Sequence, residues 1–118
     1  MNLEIKSKDD LDIAISNKNL TAVEFWAPWC IYCKQLQPIF ESVSNEYSDI
    51  KFIDINIENQ NDVVAEYGIR GVPVIKFYCE SKEISEITGY VPLTQLRKEI
   101  ERVIEIAPSC QSSISLLK

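Results

Sequence analysis

Two cysteines separated by two residues, in the run Trp29-Cys30-Ile31-Tyr32-Cys33, are the side chains of this sequence best suited to covalent chemistry. A thiol attacks a disulfide only as its thiolate, and a thiol at the start of a helix is held in that form by unpaired backbone N–H groups and the helix dipole. Cys30 stands at such a start, between a strand-like run ending at Ala27 and a helix-periodic run that follows. Cys33, one turn deeper, is near enough to close a disulfide with Cys30 and so to resolve a mixed disulfide made with a substrate. The spacing supplies a nucleophile and a resolving thiol together.

Other chemistries are narrowed by what the 118 residues contain. The chain has no histidine, which removes the commonest general base and the commonest transition-metal ligand and leaves Cys, carboxylates, Lys and Tyr. Eighteen acidic against 12 basic residues give a formal net charge of −6, so a phosphate backbone or an anionic membrane would be repelled. No stretch approaches the ~18 apolar residues of a bilayer span, and the first ten residues lack a basic start followed by an apolar run. The expectation is a cytoplasmic protein with neither nucleic-acid nor membrane partners. Four cysteines are too few for a secreted disulfide framework, and in a reducing compartment a close pair is more often redox-active or metal-binding. A zinc site drawn from Cys30, Cys33, Cys79 and Cys110 is disfavoured, because structural zinc sites pair two short-spaced knuckles and only one is present. Neither a metal nor a cofactor is expected.

The elements that must position the pair follow from periodicity. Behind a short first strand, Ser7 can cap a helix whose apolar stripe is Leu11, Ala14 and Ile15. The nearly continuous apolar run from Leu20 to Ala27, interrupted by Glu24, predicts a strand covered on both faces. A helix is predicted from about Ile31 to Tyr47, kinked at Pro38, then a strand over Lys51–Ile57 and a short helix over Asn61–Tyr67 closed by Gly68. Val74–Cys79 and Glu83–Thr88 predict a hairpin with an edge-like second strand, and Leu93, Leu96, Ile100, Val103 and Ile104 mark a final amphipathic helix. One domain over residues 1–106 is expected, with 107–118 as a polar tail. The order implies an α/β fold with helices on both faces of the sheet.

The segment Val23-Glu24-Phe25-Trp26-Ala27-Pro28-Trp29-Cys30-Ile31-Tyr32-Cys33-Lys34 resembles the active-site segment of the thioredoxin family. Pro38 matches that family's kink proline, Tyr67-Gly68-Ile69-Arg70-Gly71-Val72-Pro73 resembles the segment ending in its cis-proline, and Gly89 falls where the family has a glycine before its last helix. The resemblance implies a thioredoxin fold, a central mixed sheet of about five strands with helices on both faces, and a monomeric protein-disulfide reductase. It implies Cys30 as exposed nucleophile, Cys33 as buried resolving thiol, a redox-active Cys30–Cys33 disulfide, and a groove of Trp29, Ile31, Tyr32, Val72 and Pro73. A cis X-Pro bond costs far less than other cis peptides and presents Val72 for strand-like pairing with an extended substrate. Glu24 matches the family's buried acid, whose raised pKa lets it exchange a proton with Cys33. The partners implied are disulfide-containing proteins and a flavin-dependent thioredoxin reductase as electron donor.

Two departures stand out. Ile31-Tyr32 replaces the family's Gly-Pro between the cysteines; losing Pro adds an N–H at the helix start, which is expected to favour the Cys30 thiolate and make the disulfide more oxidising. Asp54 occupies the place of a frequent Lys, so two carboxylates would face each other and raise the pKa of Glu24 further. Elsewhere, Trp26 is expected in the core, Cys79 as a buried free thiol and Cys110 as an incidental free thiol in an exposed tail. The competing readings are an oxidase or isomerase, which usually works in an oxidising compartment, and a redox-inert binding module on the same scaffold.

Overall fold

A computed structural model describes residues 2–107 and residue 110, with backbone alone at position 2. Chain order is β1 (Asn2–Ile5), α1 (Lys8–Ala14), β2 (Thr21–Trp26), α2 (Ile31–Ser44), β3 (Lys51–Asn56), α3 (Asn61–Glu66), β4 (Val74–Cys79), β5 (Lys82–Thr88) and α4 (Leu93–Ile106). The strands form one mixed sheet in the order β1-β3-β2-β4-β5. β3 pairs in parallel with β1 and β2, while β4 runs antiparallel to both β2 and β5.

The central place of β2 explains its apolar run: its first five residues are all buried. Strand alternation sends Ala22 to a cluster with Phe52, Ile75 and Phe77 that Leu36 and Phe40 of α2 and Leu96 and Ile100 of α4 cover. Val23 and Phe25 join the opposite cluster, with Leu11 of α1 and Val63 of α3. Glu24, between them, shares its face with Ala22 and therefore lies on the side of the sheet that α2 covers. β5 has only exposed and half-buried residues, as an edge strand should. Lys76, buried in β4, is held by Glu83 and Glu86 of that edge at 2.9 and 3.1 Å.

Local chemistry sets the ends. The Ser7 hydroxyl accepts the Asp10 N–H at 3.1 Å and caps α1 as expected. α2 stops at Ser44 rather than running to Tyr47, because the Asn45 N–H turns back to the Ser42 carbonyl at 3.2 Å. After α4, Ala107 and Cys110 are buried in the α2/α4 core, and Cys110 is joined to Cys79 in a disulfide. Both cysteines thus depart from the expectation of free thiols, and Cys110, 1% exposed, is not on the surface. Residues 108, 109 and 111–118 of the expected tail lie outside the described residues.

Candidate redox site

The junction of β2 and α2 builds the site. The strand delivers the chain to Ala27, and Cys30 takes the N-cap position of α2 in extended backbone conformation (φ −97°, ψ 112°). Its Sγ accepts the backbone N–H of Cys33 at 3.1 Å, so the sulfur fills the place that a capping oxygen usually takes. Cys30 and Cys33 are disulfide-bonded, with Cα atoms 5.3 Å apart. Negative charge developing on the Cys30 sulfur would meet an N–H donor and the positive end of a fourteen-residue helix, the two effects that lower a thiol pKa.

Cys30 is less open than the expected exposed nucleophile: 7% of its surface is accessible, against 3% for Cys33. Around them, Trp29, Ile31 and Tyr32 are 70%, 66% and 57% exposed, an apolar rim in place of buried contacts. Val72 packs against the small cluster of Ala27, Cys30 and Cys33, and the Val72–Pro73 peptide is cis. Val72 and Pro73 also line a groove of about 670 Å³ that continues past Arg70 to Glu86 and Thr88 of β5. Of the site residues named from the sequence, Cys30, Cys33 and Val72 are therefore brought into one cluster, with Pro73 next to Val72 along the groove. Arg70, Glu86 and Thr88 were not singled out; the hairpin that carries Glu86 and Thr88 was expected, but nothing in its alternation marks those two side chains as groove lining.

Glu24 is 1% exposed, and its Oε2 has no hydrogen-bond partner among the described residues. Burial pushes its carboxyl pKa up to about 8, with a further upward push from the Asp54 charge. Asp54 faces Glu24 directly in the β2/β3 register. Its own pKa is raised by burial and by Glu4 and Glu41, and opposed by a hydrogen bond from Trp26. That bond is 2.9 Å from Trp26 Nε1 to Asp54 Oδ1, so Trp26, expected as plain core, holds the second carboxylate. The indole N–H favours charge on Asp54, which leaves the proton of the pair on Glu24.

Comparison with known proteins settles the family. The family model Thioredoxin matches residues 2–102. The chain belongs to the thioredoxin family. It is 33% identical over 94 residues to a thioredoxin of Mycoplasmoides gallisepticum, covering 80% of this chain and 94% of that protein. A thioredoxin of Porphyra purpurea is 33% identical over 91 residues, covering 76% and 85%. Among solved structures, the thioredoxin of Malassezia sympodialis superposes with a TM-score of 0.80 at 25% identity, over 86% of this chain and 90% of that one. Plasmodium falciparum thioredoxin gives 0.78 at 27%, over 84% and 96%. The five-stranded mixed sheet and four helices are those of a thioredoxin, and its Cys30-x-x-Cys33 pair makes the protein a thiol-disulfide oxidoreductase. Among the described residues no helix is long and apolar enough to cross a membrane.

Proposed function

We propose that the protein reduces protein disulfides, with Cys30 as nucleophile, Cys33 as resolving thiol and Glu24 as proton acceptor. The observation that carries the assignment is the Cys30 sulfur at the N-cap of α2, accepting the Cys33 N–H and paired with Cys33. In the dithiol form, the Cys30 thiolate attacks one sulfur of a substrate disulfide and displaces the other as a thiolate, giving a mixed disulfide. Glu24 takes the Cys33 proton, and the Cys33 thiolate attacks the Cys30 sulfur. The second substrate sulfur leaves, and both displaced substrate thiolates take up protons from solvent. The substrate gains two electrons and two protons, and Cys30–Cys33 becomes the disulfide. In that oxidised form a Glu24 pKa of about 8 keeps the proton on the protein at neutral pH, ready to return to Cys33 on reduction.

Trp29, Ile31, Tyr32, Val72 and Pro73 form the surface that an extended substrate segment crosses, the apolar rim burying its side chains and Val72 offering backbone for strand-like pairing. The same reading takes a flavin-dependent thioredoxin reductase as electron donor and the protein as a monomer. It places the protein in the cytoplasm, since a reductase needs a compartment that resupplies electrons. Residues 1–106 are the catalytic unit, with 107–118 following it. The test is catalysed reduction of insulin disulfides by dithiothreitol: the wild type accelerates it, Cys30→Ser abolishes the acceleration, and Glu24→Gln slows it at least about tenfold. Unchanged acceleration by Cys30→Ser overturns the proposal.

A further inference from the structure

We propose that Cys79 and Cys110 are a second thiol-disulfide pair, closed by low-molecular-weight disulfides and opened by dithiols, that clamps the segment after α4 to the end of β4. Cys79 is the last residue of β4, opposite Lys82 across the hairpin. Cys110 lies just beyond α4, in a turn where its N–H donates to the Ala107 carbonyl at 3.1 Å. Elements 31 residues apart bring the two Cα atoms to 6.0 Å and their sulfurs into a disulfide. The pair belongs to the cluster of Leu96, Ile100, Val103 and Ala107, which reaches Leu36 and Phe40 of α2.

Position separates this pair from the catalytic one. Pro73 of the groove precedes the first residue of β4 and Cys79 is its last, six residues of strand that span roughly 17 Å. Cys30–Cys33 therefore cannot oxidise Cys79 within one molecule, and the oxidant comes from outside. Burial gives the two thiols different roles: Cys79 is half-buried while Cys110 is 1% exposed. The Cys79 thiolate attacks the small disulfide R–S–S–R and releases one R–SH, leaving a Cys79–S–S–R mixed disulfide. Cys110 then attacks the Cys79 sulfur and releases the second R–SH. Two protein thiols lose two electrons in all, and the small disulfide gains them as two thiols. In a reducing compartment such a bond is closed only while the local balance is oxidising, so it reports that balance as a gain in stability at the α2/α4 face.

The experiment uses the full chain carrying Cys30→Ser and Cys33→Ser, so that Cys79 and Cys110 are the remaining thiols. Incubated with oxidised glutathione, it is expected to lose both alkylatable thiols, to carry no bound glutathione, and to yield a Cys79–Cys110 cross-linked peptide by mass spectrometry. Its thermal midpoint is expected to rise by ~10 °C on oxidation and to fall back with dithiothreitol. In the chain with an intact catalytic pair, Cys79→Ser is expected to reduce insulin within about twofold of the wild-type rate, as a clamp remote from the groove requires. Two thiols that stay alkylatable, a stable glutathione adduct on Cys79, or a midpoint indifferent to oxidation would each overturn the proposal.

Discussion

Replacing Glu24 with Gln removes a buried acid whose titration the fold has displaced, and the effect on stability depends on pH in a way that identifies the cause. In the folded, oxidised protein its pKa is about 8, against 4.5 for an ordinary glutamate. Below pH 4.5 Glu24 is protonated in both folded and unfolded chains, and its contribution to stability is fully present. As pH rises from there, the unfolded chain ionises while the folded one holds its proton, and stability falls by ~1.4 kcal/mol per pH unit until about pH 8. Between pH 5 and 8 the wild type should therefore lose roughly 3–4 kcal/mol relative to Glu24→Gln. Any constant cost of packing the amide cancels in that difference. Urea unfolding of both proteins, kept oxidised and followed at half-unit steps of pH, measures it. Stability curves that run parallel across the window would refute the displaced titration, and with it the claim that Glu24 holds the proton at neutral pH.

Three further outcomes follow from particular contacts. Asp54→Asn removes the charge that pushes Glu24 up, so the pH window in which stability falls should end at a lower pH than in the wild type; the same unfolding series checks it. Tyr78→Phe deletes a hydroxyl that is buried without a hydrogen-bond partner among the described residues, and should stabilise the protein by ~1 kcal/mol in urea, where a loss would show a hidden partner. Tyr32→Pro removes one N–H from the first turn of α2 and should make the Cys30–Cys33 disulfide less oxidising in a glutathione titration; an unchanged potential would remove the role assigned to that turn.

Much of this was legible because local and global preferences agree. The apolar run into Trp26 announces a doubly covered strand, Ser7 announces a cap, and the spacing of Cys30 and Cys33 on a helix start places both sulfurs together whatever surrounds them. Glu24 was legible by contrast, as one carboxylate in an apolar run, and the β2/β3 register then set Asp54 opposite it. Contacts between residues distant in the chain were harder to read. Nothing near Trp26 signals that its indole will reach Asp54, 28 residues on, and apolar patterning assigns it to the core. Cys79 and Cys110 each look ordinary in their own segments, a small buried side chain in a strand and a thiol among serines. Their pairing depends on where α4 ends against the sheet, a tertiary distance that no local spacing carries. The end of α2 was missed for a smaller reason, since Tyr47 continues the apolar period after the backbone has turned at Asn45.

The central claim is that Cys30 attacks and Cys33 resolves, and trapping the intermediate tests it most directly. The Cys33→Ser variant, incubated with a disulfide-containing protein such as insulin and digested without reduction, should accumulate a mixed disulfide whose peptide maps to Cys30. The Cys30→Ser variant should accumulate none at Cys33. A cross-link mapped to Cys33 in the Cys30→Ser variant, with none at Cys30 in the other, would contradict the account.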